Sequence, residues 1–511
     1  MPASLGHAIL EPPILSGMTA ALPWLLGLGS GVALALALPG AGLAPLVLVF
    51  PGLMLEALER LPGGWRPWLL GWLAGVAHWT LATNWVMPVM NHYGGLPLVA
   101  AVLSLLGMAG LLGVCWAAAA GLASVVPTAW RVWAFPSIFI AIDGWRQFWP
   151  YRFPWNPPAA VFADAPVLLQ SLPVWGATGL GWAALTVGAG LWAALRRPTR
   201  VVGWTAAGSA ALLTLLLSFV APGFSIEGER LRVAVIQPGT SLEEKWDPAS
   251  WREAEGHVWN LTTQAARQGA QLVLWPESAM PYRVDVDGGF RTVLAEAART
   301  LDIDIVLNSV AGSDAEGFTN SAFVVTTAGV VAERYDKVRL VPFGEFVPWW
   351  ARLGFTDSLV REVGSFTPGR QPRVLEASAP LGMAICYEVI FADLVASEVR
   401  GGAELLTTLT NDGWYGYSWA PRQHFAHVVL RAVENRRWFA RAALTGISGF
   451  VEPSGRPGPI LGVGEQGLLV AEVRLATGLT PRARFGDWWC AAAALAGAIL
   501  LMCGRMQIRR G

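Results

Sequence analysis

Charge is spread so unevenly along this chain that one soluble core cannot account for it. Of 36 Lys plus Arg and 36 Asp plus Glu, 13 lie in residues 1–222, 56 in residues 223–487 and 3 beyond. A helix crossing about 30 Å of hydrocarbon needs about 20 mostly apolar residues. The charge-poor stretches supply such runs at 18–40, 41–58, 66–88, 96–120, 128–146, 167–195, 202–222 and 487–504. We therefore expect a polytopic α-helical membrane domain of eight transmembrane helices joined to an α/β domain. The division expected is 1–222 for seven spans, 223–486 for an exported domain long enough to bury its own core, and 487–511 for the last span and a short tail.

Arginine in the short loops sets the expected orientation, because positive charge stays on the cytoplasmic side. Arg60 and Arg66, Arg131, the group Arg196, Arg197 and Arg200, and the group Arg505, Arg509 and Arg510 all fall on one side of an eight-span chain. Both termini are then cytoplasmic, and the 223–486 domain faces outward from a bacterial inner membrane into the periplasm. The loop with Asn91, His92 and Tyr93 carries no Arg or Lys, as an outer loop should. Arg146 and Arg152 break the pattern; they serve either as interfacial anchors or as bidentate partners of a phospholipid headgroup phosphate. Residues 1–17 lack a positive n-region, so a retained anchor is expected rather than a cleaved signal. Zero net charge gives no nucleic-acid footprint.

Within the exported region, strand-like runs at 231–237, 271–275, 304–309, 321–326, 381–386, 404–409 and 468–473 alternate with helical spacing at 248–268, 290–301, 391–399 and 420–436. Three strand ends carry chemistry. Glu277 follows Trp275 and Pro276; Lys337 follows Asp336 and leads into a loop that ends at Glu345; Cys386 precedes Tyr387 and Glu388. Cys386 is the one cysteine outside an apolar run, since Cys115, Cys490 and Cys503 sit among Ala, Leu, Val and Trp, where a thiol packs as a small hydrophobe. It has no partner for a disulfide within its domain. Only two lysines, Lys245 and Lys337, occur in a chain that otherwise writes arginine, so Lys337 marks a need for a compact ammonium.

If these ends converge, a thiolate nucleophile is assembled with a base and a cation. Glu277 would take the thiol proton and return it to a leaving group. Lys337 and backbone N–H groups around Cys386 would hold the oxyanion of a tetrahedral intermediate, and acyl transfer through a thioester follows. Taken singly, the three residues have ordinary alternatives: a buried core cysteine, a carboxylate at a helix start and a surface ion pair with Asp336 or Glu345. His424 and His427, three apart on a helix, lack further ligands at metal spacing, so structural or rim roles are expected and no metal or cofactor. His78 and His92 are expected to pack.

Glu277 in Trp-Pro-Glu, Lys337 before Leu-Val-Pro-Phe-Gly-Glu345 and Cys386 in Ile-Cys-Tyr-Glu resemble the Glu-Lys-Cys triad of the nitrilase, or carbon-nitrogen hydrolase, superfamily. With seven spans before it and one after, the whole chain resembles its membrane-embedded branch, the apolipoprotein N-acyltransferases. The resemblance implies an αββα sandwich outside the membrane and ping-pong chemistry that closes bacterial lipoprotein maturation. Cys386 would take an acyl chain from a glycerophospholipid and pass it to the α-amine of a lipoprotein's S-diacylglyceryl cysteine. It further implies Glu345 as a partner of Lys337 or of the amine, and Trp246, Tyr387 and Glu388 as site residues. Independently, the aromatic loops 347–355 and Trp414–Trp419 are expected as lids over acyl chains, since aromatic rings gather at membrane interfaces. A membrane-anchored nitrilase-type amidase that gives its thioester to water, and a polytopic lipid-binding or transport protein whose outer domain has lost catalysis, are the alternatives.

Overall fold

A computed structural model of the chain describes residues 13–148, 153–224, 226–241, 250–347 and 365–508. The predicted apolar runs are helical. Among the described residues, the helices Pro13–Ala37, Leu46–Arg60, Arg66–Ala82, Leu98–Ser124, Thr128–Trp145, Leu172–Ala194 and Arg200–Val220 precede the charged region, and Trp488–Ile508 follows it. Five stretches are long and apolar enough to cross a membrane: Ala20–Ala37, Leu98–Ser124, Leu172–Ala194, Arg197–Val220 and Trp488–Met506. The helix Leu46–Arg60 has 15 residues, about 22 Å at 1.5 Å per residue, and is short for the hydrocarbon thickness. Arg66–Ala82 and Thr128–Trp145, at 17 and 18 residues, also fall outside the five.

Between these helices lies a two-sheet sandwich. The first sheet has the order β12-β1-β2-β3-β4-β5, the second β11-β10-β9-β8-β7-β6. Its strands are β1 Ile226–Gln237, β2 Leu272–Leu274, β3 Asp304–Ser313, β4 Gly317–Val325, β5 Val331–Asp336, β6 Val374–Glu376, β7 Pro380–Ile385, β8 Leu405–Thr410, β9 Phe439–Ala443, β10 Ser448–Val451, β11 Pro457–Leu461 and β12 Gly467–Thr477. Each sheet has a parallel centre, β1-β2-β3 in one and β7-β8-β9 in the other, with antiparallel strands outside.

Strand periodicity sorts the side chains. Val233 and Val235 of β1 face Leu381, Met383 and Ile385 of β7 between the sheets, while Ala234 and Ile236 turn outward onto the helices Trp251–Arg267 and Gly288–Leu301. The outer face of the second sheet is covered by Ala392–Arg400 and Ala420–Asn435, completing the αββα layers. That last layer does not end in solvent: Val389, Val428 and Val433 share one apolar core with Phe50, Leu70 and Phe135 of the helix bundle. The sandwich therefore stands on the bundle through its own outer helices.

Candidate active site

The three predicted strand ends meet at one place. β2 ends at Leu274, Pro276 just beyond it has no N–H for a ladder, and Glu277 follows, buried. One oxygen, Oε1, accepts from Asn320 Nδ2 at 2.8 Å, and the other, Oε2, accepts from the Asn411 backbone N–H at 2.9 Å. Asn320 is itself aimed by Asn308, whose Nδ2 donates to Asn320 Oδ1 at 2.6 Å.

Lys337 leaves β5 directly and is 1 % exposed. Its Nζ donates to Glu345 Oε1 at 2.8 Å and stands 3.7 Å from Glu277 Oε1. The same Asn320 amide nitrogen donates to Glu345 Oε1 at 2.8 Å, and the Val341 N–H donates to Glu345 Oε2 at 2.8 Å. Burial lowers the lysine pKa, but the charges of Glu345 and then Glu277 outweigh it and hold it above its ordinary value. Lys337 is thus held as a cation between two carboxylates.

Cys386 ends β7 with φ of 51°, in the left-handed region that a side chain with a Cβ enters at a cost of about 1–2 kcal/mol. The chain turns there into the short 3₁₀ segment Cys386–Ile390, and the thiol is left at the strand tip. Burial, then the Glu277 charge, raise the thiol pKa above its ordinary value against the opposing pull of Lys337. At rest Cys386 is therefore held as the thiol. Glu277 is the carboxylate beside it.

Glu388 fixes the turn from below. Its Oε1 accepts from Tyr335 OH at 2.9 Å and from the N–H groups of Val338 at 2.7 Å and Arg339 at 3.0 Å, and its Oε2 accepts from the Ile385 N–H at 2.8 Å. Burial pushes this carboxyl up to about 7, against the Ile385 N–H and the Lys337 charge. One side chain thereby ties the residue before the nucleophile to the two residues after the lysine. Tyr387 points into the core shared with the helix bundle and meets the Phe391 ring edge-on at 5.2 Å.

Trp414 lies beyond β8 in the turn Asp412–Tyr415, and its ring meets Tyr93 at 5.3 Å. The neighbouring Tyr415 packs against Trp85 at 4.9 Å, so this aromatic loop rests on the ends of membrane-type helices. The structure does not bring Arg146 to the cluster. Its guanidinium, 3 % exposed, is held by Asp143 Oδ1 at 2.5 Å and by the Phe153 carbonyl at 2.6 Å, and lies over the Trp79 ring. Those donors are spent inside the protein rather than offered to a headgroup. Trp246, Arg152 and residues 348–355 of the other aromatic loop lie outside the described residues.

Several residues of the site were not foreseen. Asn411 and Asp412 follow β8 just as Glu277 follows β2, so the strand-end rule that found the triad would have reached them. Asn308 and Asn320 sit within β3 and β4, and nothing in their spacing marks them. His424, read as structural or rim, is fully buried, and its Nε2 lies 3.1 Å from the Cys386 carbonyl oxygen. Among the described residues no group of three His, Cys, Asp or Glu is arranged to hold a metal ion.

A buried acid, a charged lysine and a strained thiol on adjoining strand ends suit acyl transfer by covalent catalysis. The model of the carbon-nitrogen hydrolase family matches residues 232–479, and that of the apolipoprotein N-acyltransferase N-terminal domain matches residues 30–190. Apolipoprotein N-acyltransferase of Geobacter metallireducens is 32 % identical over 502 residues, covering 93 % of this chain and 95 % of its own. That of Methylococcus capsulatus is 32 % identical over 490 residues, covering 89 % and 93 %, and that of Caulobacter vibrioides 31 % over 496 residues, covering 91 % and 92 %. A solved amidase from Nesterenkonia sp. is 25 % identical with a TM-score of 0.37, covering 52 % of this chain and 99 % of its own. The chain belongs to the apolipoprotein N-acyltransferase family.

Proposed function

We propose that this enzyme moves a fatty acyl chain from a glycerophospholipid to the α-amino group of the S-diacylglyceryl cysteine at the N-terminus of an apolipoprotein, through a thioester on Cys386. The observation that carries the reading is the meeting of Glu277, Lys337 and Cys386 at strand ends of a sandwich that shares its core with apolar helices. In the first half-reaction, Glu277 takes the thiol proton as sulfur attacks the ester carbonyl. The carbon–oxygen bond to glycerol breaks, Glu277 returns the proton, and lysophospholipid leaves. In the second, the free amine attacks the thioester, gives its proton to Glu277, and the sulfur leaves to recover that proton.

Lys337 supports the oxyanion in both halves, because a fixed cation in a water-poor site stabilises developing charge strongly. Glu345 keeps the ammonium in place, with Asn320 bridging it to Glu277. Tyr387 and Glu388 hold the turn that presents the thiol, and Trp414 with its aromatic neighbours covers the acyl chain. We further propose eight spans, division at 1–222, 223–486 and 487–511, a periplasmic sandwich and cytoplasmic termini. Arginine placement supports this orientation: Arg60 and Arg196 both pair with Glu56, and Arg131 pairs with Glu59, so arginines of three separate loops gather at one end of the bundle.

The test is incubation of purified protein with phospholipid bearing a labelled acyl chain. Label that stays on the protein, is released by hydroxylamine and is lost in Cys386→Ala is expected. Addition of a diacylated lipopeptide with a free N-terminus should move that label to the peptide. Release as free fatty acid instead would point to hydrolysis, and a folded protein that never takes label refutes the mechanism.

A further inference from the structure

We propose that His424 is a positioning residue that fixes the peptide between Cys386 and Tyr387, and through it the oxyanion-binding N–H groups beside the nucleophile. The proposal rests on the acyl-thioester reading above. The ring is fully buried on the helix Ala420–Asn435, with Nε2 at 3.1 Å from the Cys386 carbonyl oxygen. A carbonyl only accepts, so Nε2 carries the proton and donates. The opposite nitrogen, Nδ1, is 2.9 Å from Asp412 Oδ1 and 3.1 Å from Arg441 Nη2.

With the proton on Nε2, Nδ1 accepts from Arg441 Nη2, and Asp412 fixes that guanidinium rather than the ring itself. Arg441, on β9 and fully buried, donates through Nη2 to Asp412 Oδ2 at 2.6 Å and through Nε to the Ile447 carbonyl at 2.9 Å. Thr410 donates to Asp412 Oδ1 at 3.0 Å, so the carboxylate is held from a third direction. The chain of contacts runs from β9 through Arg441, itself braced by Asp412, and His424 to the Cys386 carbonyl.

What this holds is a strained peptide. Cys386 sits at φ of 51°, and all described peptide bonds are trans, so pinning the Cys386 carbonyl on one side fixes the direction of the Tyr387 N–H on the other. A hydrogen bond to that carbonyl also polarises the peptide and strengthens its N–H as a donor. The adjacent Gln423 adds a link outward: its Nε2 donates to the Ala82 carbonyl at 3.0 Å and its Oε1 accepts from Trp155 Nε1 at 2.8 Å. The turn that orients the nucleophile is thus bolted to the end of the helix Arg66–Ala82.

The test uses the full chain in detergent or nanodiscs and measures single-turnover formation of the acyl-enzyme from labelled phospholipid. It is paired with alkylation of Cys386 by iodoacetamide, which needs no oxyanion support. In His424→Gln the amide nitrogen reaches the position of Nε2, and acylation should stay within a few-fold of wild type. His424→Asn, too short, and His424→Phe, without a donor, should acylate about 10–100-fold more slowly, with alkylation rate and phospholipid KM unchanged. A folded His424→Phe that acylates like wild type overturns this proposal alone, as does His424→Gln falling as far as His424→Phe. Should His424→Phe fail to fold, equal acylation by the Gln and Asn variants overturns it and a faster Gln variant supports it. A wild type that forms no acyl-enzyme overturns the acyl-thioester reading, and this proposal with it.

Discussion

At the scale of single residues, the thiol is protonated because burial and Glu277 both oppose the thiolate, while Lys337 favours it. Two consequences follow with opposite signs. Replacing Glu277 by Gln removes a charge that raises the thiol pKa, so Cys386 should react faster with iodoacetamide at a given pH. The same variant has lost its proton carrier, and acyl-enzyme formation should drop about 10²–10⁴-fold. Slower alkylation together with slower acylation would mean that Glu277 activates the thiol at rest. In the wild-type protein the alkylation rate should climb through pH 7–9 without the plateau of a thiol that is already ionised. Glu277, Lys337 and Cys386 were legible because Glu277 follows a strand and Pro276, Lys337 is one of only two lysines, and Cys386 is the one cysteine outside an apolar run. Asn320 was not, because its importance lies in reaching two carboxylates that sequence places 43 and 25 residues away.

At the scale of elements, seven strands and four helices of the sandwich appear where apolar runs and helical spacing put them, with shifted ends. Five strands were missed, for different reasons, β6 because it is only three residues long. β5, Val-Ala-Glu-Arg-Tyr-Asp, is an edge strand with only Tyr335 buried, so it lacks an apolar run. β9, Phe-Ala-Arg-Ala-Ala, is rich in a poor strand former and strands only because β8 and β10 flank it. β10 and β11 carry glycine and proline, which read as turn. A further element departs from its sequence reading: the helix Leu172–Ala194 breaks at Gly176, with φ of 69° and ψ of −176°. That break frees the Ala177 N–H to donate to Glu434 Oε1 at 2.9 Å. An added Cβ would meet Arg482 Cδ and Nε at 2.8 Å in a conformation reserved for glycine. Gly176→Ala should cost about 2–3 kcal/mol, read as a lower thermal midpoint in detergent, whereas Gly208→Ala, which meets nothing within 4 Å, should leave it in place.

At the scale of the whole molecule, the shared core between bundle and sandwich has a direct consequence. Residues 226–486 expressed alone would bare Val389, Val428 and Val433 together with Arg431, which is 2 % exposed and pairs with Glu434 at 3.0 Å. Such a fragment should aggregate or elute as a micelle-dependent species in gel filtration; a monodisperse, folded fragment in plain buffer would show that the bundle is only an anchor. The change from charge-poor helices to a charged two-sheet region was legible in charge alone, but this joint was not, because buried arginines there look like loop charges in sequence. Arg146 shows the difficulty: it broke the charge rule and reads as a surface group, yet it is locked onto Asp143 and the Phe153 carbonyl beneath the sandwich. Orientation itself is open to a labelling experiment. Gly63 and Pro198 lie in exposed loops at the arginine-rich end, and Asn91 is exposed in the arginine-free loop. In a background without the four native cysteines, Asn91→Cys should react with a membrane-impermeant maleimide once the outer membrane is opened. Gly63→Cys and Pro198→Cys should react only after the inner membrane is lysed, because retention of positive charge inside fixes that end as cytoplasmic. The reverse pattern would turn the protein over and leave the sandwich without access to exported lipoproteins.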